Sequence, residues 1–214
     1  MNKIYLNQLC PRIFLQRSDL KSGVWRKDVT LEKGKVYLIE AQSGSGKSSL
    51  CSYLSGYRDD YEGSLLFDQR EARRLKVNDW TEIRKQHISL LFQDLRLFPE
   101  LTAYENIAIK NQLTHHKTEG QIKEWLDALG IIDKCDTLVG RMSFGQQQRV
   151  AMIRALVQPF DFILADEPIS HLDEQNARLM ANVLMGEVRE QQAGVVVTSI
   201  GNHLPLDYDE IFQL

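Results

Sequence analysis

Short apolar runs alternate with helical patterns along most of the chain. The sequence predicts strands at 35–41 (KVYLIEA), 64–68 (SLLFD), 88–94 (ISLLFQD), 161–168 (DFILADEP) and 194–199 (GVVVTS). The last two are apolar and short enough to be buried strands. Strands that alternate with helices predict an α/β protein with a mostly parallel sheet covered by helices on both faces.

Helical spacing predicts the helices between these strands. In 119–130 the apolar residues recur at i, i+3, i+4 and i+7, which gives one apolar face. The helix-rich stretch at about 95–145 interrupts the alternation, so we expect a helical subdomain there within one domain spanning 1–214. The predicted helices lie at 47–56, 101–113, 119–130, 145–157 and 173–192.

Composition narrows the class of protein. A chain of 214 residues that is 43% hydrophobic and 26% charged is typical of one compact domain. Its net charge of −3 argues against nucleic acid as the main partner. Three scattered cysteines, Cys10, Cys51 and Cys135, favour neither a disulfide framework nor a zinc site. The sequence shows no signal peptide and no apolar run near the ~20 residues of a membrane helix, so we expect a soluble, cytoplasmic protein.

The segment AQSGSGKSS at 41–49 predicts a phosphate-binding loop between a strand and a helix. Gly44 and Gly46 let backbone N–H groups approach a phosphate, Lys47 can reach the β- and γ-phosphates, and Ser48 can bind Mg²⁺. Ala41 stands where the pattern has glycine, but this position only begins the turn. The alternative is a turn of small residues. The predicted nucleotide contacts here are Ala41, Gln42, Ser43, Gly44, Ser45, Gly46, Lys47, Ser48 and Ser49.

Two acidic residues end the buried strand FILAD. Asp166 is placed where a phosphate loop needs a carboxylate to hold Mg²⁺. Glu167 follows and can orient or deprotonate an attacking water. The alternative is an exposed acidic turn before Pro168.

The segment MSFGQQQRVAMIRAL at 142–156 predicts a second helix whose start can bind a phosphate. Ser143 and Gly145 lie at that start. Two such helix starts seldom face one γ-phosphate within a chain, whereas a head-to-tail dimer can bring them together.

These motifs, in this order, resemble the nucleotide-binding subunit of ABC transporters over essentially the whole chain. MSFGQ at 142–146 stands where the family usually has Leu-Ser-Gly-Gly-Gln, LLFQD carries Gln93 of the Q-loop, and SHLD at 170–173 carries Asp173 of the D-loop. Within the family, FQDLRLFPELTAYENI at 92–107 is similar to the LolD, MacB and FtsE type.

The resemblance implies a P-loop NTPase fold with an antiparallel β edge, ATP and Mg²⁺ as cofactors, and a homodimer with two shared ATP sites. It also implies a separate transmembrane permease that docks near Leu95–Leu101 and holds the protein at the inner face of the membrane. Implied catalytic residues are Glu167, Gln93 and Ser199; implied metal ligands are Ser48, Gln93 and Asp166; further implied nucleotide contacts are Phe14, Ser143, Gly145, Gln146 and Asp173.

The chain departs from the family at three positions. Ala41 removes no ligand. Phe144 replaces a signature glycine, so its ring must point away from the γ-phosphate or weaken that half-site. Ser199 replaces the usual γ-phosphate histidine, which predicts slow hydrolysis unless His203 substitutes for it; the alternative is that His203 belongs to a surface loop.

Other interpretations stay open at this stage. Phe14 is either an adenine platform or an inward-packing residue. His115 and His116 are expected in a loop rather than at a metal, and the tryptophans in packing. The protein is either a transport ATPase or a regulatory module that closes on ATP with little turnover. A soluble ABC protein of translation or DNA repair is disfavoured, because the second nucleotide domain or the long insertion is missing.

Overall fold

Five parallel strands form the central sheet of the computed structural model, which describes residues 1–42, 44–169 and 172–214. The strand order is β6-β7-β8-β3-β9, and every neighbouring pair in it runs parallel. Both β7 and β8 are buried along their whole length, as expected for strands covered on both faces. The predicted mostly parallel sheet is therefore confirmed. Its strands are β3 (Val36–Glu40), β6 (Ile88–Leu91), β7 (Phe162–Asp166), β8 (Gly194–Ser199) and β9 (Glu210–Gln213).

A separate antiparallel sheet with the order β2-β1-β4-β5 supplies the predicted antiparallel part. Its central strand β1 pairs Ile4 with Leu31 of β2 and with Phe67 of β4. Strand β4 begins at Tyr61, three residues before the predicted run, because its first residues pair with the end of β1. The strands are β1 (Lys3–Pro11), β2 (Asp28–Glu32), β4 (Tyr61–Phe67) and β5 (Arg70–Glu71).

The described residues form six α-helices, and four of these begin at a side-chain cap. Thr102, Thr118 and Ser143 each accept a hydrogen bond from the backbone N–H three residues on, and Asp173 does the same for the longest helix. Each of these four helices starts within two residues of the position that the sequence predicts. The helices are α1 (Lys47–Leu54), α2 (Val77–Glu82), α3 (Ala103–Asn111), α4 (Glu119–Ala128), α5 (Phe144–Leu156) and α6 (Glu174–Gln191).

Strand β3 separates two apolar cores. Val36 and Leu38 belong to the core shared with α3 to α6, whereas Tyr37 and Ile39 belong to the core shared with α1 and the antiparallel sheet. This alternation follows from the two-residue period of a strand. The carboxyl end of β3 thus lies between two packed layers.

Helices α3 and α4 occupy the stretch predicted as a helical subdomain. Their buried residues, such as Ile107 and Leu126, belong to the same apolar core as Ile163 of β7. The division of the chain into one domain with a subdomain at about 95–145 stays a prediction. Within the described residues, no helix combines the length and apolar character needed to cross a bilayer.

Candidate nucleotide site

The predicted phosphate loop connects the end of β3 to the start of α1. Gly44 and Gly46 have φ values of 80° and 101°, which are left-handed and suit glycine. Ser45 closes the turn, because its hydroxyl donates to the Gln42 carbonyl at 2.7 Å. Ser43 lies outside the described residues. Gly46 caps α1 without a side-chain hydrogen bond, so the start of α1 is suited to an anion.

Ala41 directly follows β3 and is still hydrogen-bonded to the neighbouring strand β8. Its N–H donates to the Ser199 carbonyl at 3.1 Å. Its φ is not positive, in contrast to those of Gly44 and Gly46. Alanine therefore fits this position without backbone strain.

Lys47 is buried at the start of α1, with 5% of its surface exposed. Its Nζ donates to the Gln42 carbonyl at 3.2 Å and lies 3.5 Å from Glu167 Oε1. A buried ammonium requires such compensation. The oxygens of a bound phosphate could take the place of the Gln42 carbonyl and the Glu167 carboxylate as partners of Lys47 Nζ.

The two carboxylates after β7 have different environments. Asp166 is buried, and its Oδ1 accepts a hydrogen bond from the Thr198 hydroxyl at 2.5 Å. Glu167 has a left-handed φ of 49°, and its N–H donates to the Thr198 carbonyl at 3.1 Å. Gln93 Nε2 donates to Glu167 Oε2 at 3.1 Å. Glu167 thus lies between Lys47 and Gln93.

The predicted metal ligands line one cleft of about 510 Å³. Ser48, Gln93 and Asp166 offer hydroxyl, amide and carboxylate oxygens, which are the donors that Mg²⁺ prefers. The Gln93 amide donates its N–H to Glu167, so its oxygen is the atom suited to a cation. The donor set fits Mg²⁺.

A second cleft of about 380 Å³ lies over the phosphate loop. It is suited to a nucleotide, because loop glycines, Lys47 and Glu167 meet in it. Arg58 extends it, and its Nη1 donates to the Ser49 hydroxyl at 2.9 Å. The cleft is lined by Ile13, Phe14, Gly44, Gly46, Lys47, Ser48, Ser49, Arg58, Gln93, Glu167 and Ile200.

Phe14 lies beneath this cleft and is 8% exposed. A Cβ placed on Gly46 would lie 3.0 Å from its ring, and the Arg17 guanidinium lies 5.5 Å from the ring centroid. Trp25, its neighbour in the same core, donates its indole N–H to the Ser45 carbonyl at 2.9 Å. Both aromatic residues therefore support the phosphate loop, and the stacking of adenine on Phe14 stays a prediction.

Ser199 ends β8 with its side chain buried. Its hydroxyl donates to the Asn202 carbonyl at 2.5 Å. His203 lies farther along, with Nδ1 3.8 Å from Glu40 Oε1 and its ring against Tyr208. Neither residue lines the described part of the 380 Å³ cleft. Their predicted roles at the γ-phosphate remain predictions.

The signature segment forms the first turn of α5. The Ser143 hydroxyl accepts from the Gln146 N–H at 3.4 Å, and the Ser143 N–H donates to Gln146 Oε1 at 2.9 Å. Phe144 lines the 510 Å³ cleft, together with Ser48 and Asp166. The described part of the 380 Å³ cleft over the phosphate loop is not lined by Ser143, Gly145 or Gln146.

Asp173 caps α6 and is linked to the signature helix. Its Oδ1 accepts from the Asn176 N–H at 2.8 Å, and this bond holds the pKa of Asp173 below its usual value. Arg149 Nη1 donates to Asn176 Oδ1 at 2.7 Å. Ser170 and His171 of the predicted D-loop lie outside the described residues.

The sequence did not predict the parts that Thr198, Trp25 and Arg58 play in positioning the site. Thr198 holds Asp166, Trp25 holds the phosphate loop, and Arg58 holds Ser49. Their hydrogen bonds join residues 9, 20 and 32 positions apart along the chain. The sequence offered no local signal for these pairings.

Comparisons with known proteins agree with this geometry. The family model described as ABC transporter matches residues 26–170. The ABC transporter ATP-binding protein YtrE of Bacillus subtilis is 31% identical over 88% of this chain and 84% of its own length. LolD of Koribacter versatilis, from a lipoprotein-releasing system, is 34% identical over 78% of this chain and 76% of its own length. The macrolide export protein MacB of Rhodopseudomonas palustris is 33% identical over 80% of this chain but only 27% of its own length.

A solved structure shares the fold. The ATP-binding cassette MJ0796, a dimer in a post-hydrolysis state with ADP and Pi, superposes with a TM-score of 0.76 at 25% identity. The match covers 93% of this chain and 88% of that chain.

Proposed function

Because the chain belongs to the ABC transporter family, as an ATP-binding subunit of the LolD and MacB type, we propose that it is a motor subunit. Two copies close head to tail around two ATP molecules and hydrolyse them. Closure drives a separate membrane permease, of the kind that exports a substrate or extracts lipid or lipoprotein. Through that permease the protein lies at the inner face of the membrane.

The observation that carries the proposal is the position of Glu167 between Lys47 and Gln93. When ATP binds, Lys47 exchanges its carboxylate contact for oxygens of the β- and γ-phosphates. Glu167 is then free to take a proton from the attacking water, and Gln93 orients the water and Glu167. The water oxygen bonds to the γ-phosphorus while the bond to the bridging oxygen breaks. The products are ADP and phosphate.

Ser48, Gln93 and Asp166 would hold Mg²⁺, which shields the charge of the β- and γ-phosphates. Thr198 keeps the Asp166 carboxylate in place. The Phe14 side of the cleft receives the nucleoside. Gly44 and Gly46 give the phosphates access to backbone N–H groups.

The second half of each ATP site comes from the partner. Ser143, Gly145 and Gln146 lie at the start of a capped helix, and none of the three lines the described part of the 380 Å³ cleft of its own chain. Asp173, joined to the same helix through Asn176 and Arg149, lies at the dimer surface in this arrangement. ATP favours closure because its γ-phosphate contacts both protomers.

The first test replaces the proposed base. Glu167→Gln should lower kcat by roughly 10²–10⁴, because the general base is lost. Mg-ATP should then hold the variant as a dimer, which light scattering after size exclusion would detect. Glu124→Gln, the same change at an exposed site on α4, is the control and should leave both properties unaltered. A wild type no faster than Glu167→Gln, in the presence of its membrane partner, would refute the motor assignment.

The second test asks whether two chains share each site. A heterodimer combines a Lys47→Ala protomer with a Gly145→Glu protomer. If sites are shared, one composite site stays intact, and the heterodimer should bind one ATP while each mutant homodimer binds ATP weakly. If each site lies within one chain, both sites of the heterodimer are damaged and no ATP is retained.

A second candidate function is an ATP-gated regulatory subunit with little turnover. The hydrogen bond from Ser199 to the Asn202 carbonyl favours it, since that hydroxyl is already occupied. The motor proposal expects Ser199→His to raise ATPase activity by adding a γ-phosphate contact. The regulatory candidate instead expects ATP-dependent dimerisation with no stimulation by the membrane partner.

A further inference from the structure

A cavity of about 310 Å³ lies between the loop after α1, strand β4 and helix α2. Its volume is at the lower end of the range for small-molecule sites. It shares one residue, Arg58, with the 380 Å³ cleft over the phosphate loop. We call this cavity the tyrosine pocket, and its lining includes Tyr57, Arg58, Asp59, Tyr61, Arg73 and Trp80.

Aromatic rings form preformed walls of the tyrosine pocket. Trp80 packs edge-on against Phe67, with ring centroids 5.5 Å apart, and a Cβ placed on Gly56 would lie 2.4 Å from the Trp80 ring. Tyr61 is buried, whereas Tyr57 is 51% exposed. A flat ring that enters the pocket can therefore pack against aromatic surface that is already in place.

The tyrosine pocket also holds one cation and one anion that have no ion pair among the residues that the structure describes. Arg73 lies over Tyr61, 4.6 Å from the ring centroid, and donates to the Tyr61 carbonyl. Asp59 is exposed on the same lining. Burial raises the pKa of Tyr61, the charge of Arg73 lowers it, and the charges of Glu71 and Asp59 raise it. Charges of both signs thus lie near one tyrosine side chain.

Arg58 connects the tyrosine pocket to the nucleotide site. Its Nε and Nη2 donate to the two carboxylate oxygens of Asp60 at 2.9 and 2.6 Å, and its Nη1 donates to the Ser49 hydroxyl at 2.9 Å. Asp60 therefore compensates the charge of Arg58, which leaves Arg73 available to a ligand. Ser49 lies in the first turn of α1, the helix whose start is suited to an anion.

We propose that the tyrosine pocket binds a free aromatic α-amino acid and that its occupancy raises the affinity for ATP. The carboxylate of the ligand pairs with the guanidinium of Arg73, and its ammonium pairs with Asp59. The ring packs against Tyr57 and Trp80. A ligand with only a negative charge would meet Asp59 unfavourably, and one with only a positive charge would meet Arg73 unfavourably, so a ligand with both charges fits best.

The link to ATP binding passes through Arg58. A ligand in the pocket restrains the guanidinium that donates to Ser49, and so stabilises the first turn of α1 in the form that receives phosphate. Coupling between two binding sites is reciprocal, so ATP must change the affinity for the amino acid by the same factor. This site goes beyond the proposed motor function.

The first test compares phenylalanine with three analogues, by calorimetry on the full-length protein without nucleotide. Phenethylamine lacks the carboxylate, hydrocinnamate lacks the ammonium, and alanine lacks the ring. We expect phenylalanine to bind at least about tenfold more tightly than each analogue, because each analogue loses one contact with the pocket. Chemical shift changes at Tyr57 and Trp80 would place the ligand. An analogue that binds as tightly as phenylalanine, or a failure of phenylalanine to bind, would overturn the proposal.

Variants of the two charged residues assign each charge of the ligand to its partner. Arg73→Gln should abolish the preference for phenylalanine over phenethylamine, and Asp59→Asn should abolish the preference for phenylalanine over hydrocinnamate. A general folding defect does not produce such selective changes. Arg74→Gln and Asp127→Asn make the same changes at exposed positions outside the pocket and should keep both preferences. A pocket variant that keeps the preference of the wild type would contradict the proposed contacts.

The last test measures the coupling, on the Glu167→Gln background so that ATP is not consumed. Saturating phenylalanine should lower the Kd for ATP about fivefold, and ATP should lower the Kd for phenylalanine by the same factor. With Arg58→Ala added, phenylalanine should still bind, but neither ligand should change the affinity for the other. A Kd for ATP that phenylalanine leaves unchanged would overturn the link between the sites. Binding of the amino acid needs neither hydrolysis nor the membrane partner, so failure here and failure of the motor proposal are distinguishable.

Discussion

At the scale of single residues, Phe14 and Ile13 are neighbours in opposite environments. Phe14 is 8% exposed beneath the phosphate loop, whereas Ile13 is 76% exposed at the rim of the cleft. Phe14→Ala should lower the free energy of unfolding by about 3–5 kcal/mol, as for other buried phenylalanines. Ile13→Ala should change it by less than ~0.5 kcal/mol. Urea denaturation of both variants tests this; a Phe14→Ala protein of wild-type stability that has lost ATP affinity would favour adenine stacking instead.

Thr198 offers a second test at the same scale. Its hydroxyl bonds Asp166 in a fully buried position. Thr198→Val keeps the shape but removes the donor, so Asp166 should bind Mg²⁺ less well. We expect the Mg²⁺ concentration for half-maximal ATPase to rise about tenfold, with Thr198→Ser near wild type. An unchanged Mg²⁺ dependence in Thr198→Val would remove Thr198 from the metal site.

At the scale of elements, the loop between α3 and α4 is fastened to α6 by a buried ion pair. Lys117 Nζ lies 2.7 Å from Glu187 Oε2, and their side chains are 2% and 1% exposed. Lys117→Met should cost about 3–5 kcal/mol of unfolding free energy, because Glu187 is left buried without its lysine, with only His116 and Gln191 beside it. Adding Glu187→Met should recover part of the loss. Thermal and urea unfolding would measure both; a double variant less stable than Lys117→Met alone would contradict this.

Elements also differ in how far the sequence determines them. Strands β7 and β8 were predicted because each contains a short run of apolar residues, and every residue in both strands is buried. Strand β9 (EIFQ) was missed, since it is mostly exposed and is defined by pairing with β3, some 170 residues earlier. The phosphate loop and the acidic pair were predicted because local sequence motifs encode them. The parts of Thr198, Trp25 and Arg58 were not predicted, because they depend on tertiary hydrogen bonds that no motif encodes.

At the scale of the whole molecule, the strand that leads into the phosphate loop lies between two strands that come much later in the sequence. Strand β3, which leads into the phosphate loop, pairs with β8 on one side and β9 on the other. A chain ending at residue 193 lacks both neighbours, so we expect it to bind no ATP. Fluorescence titration with a labelled ATP analogue would test this against a chain that carries Val195→Ala at full length. Tight binding of the ATP analogue by the chain that ends at residue 193 would show that ATP binding does not require β8 and β9.

The same strand order has a consequence during synthesis on the ribosome. The phosphate loop is translated early, but the two strands that flank its own strand are translated about 150 residues later, at 194–199 and 210–213. Until both strands have left the ribosome, the nascent chain carries its nucleotide motif without a folded pocket around it. We therefore expect the nascent chain to capture ATP only after residue 213 has emerged.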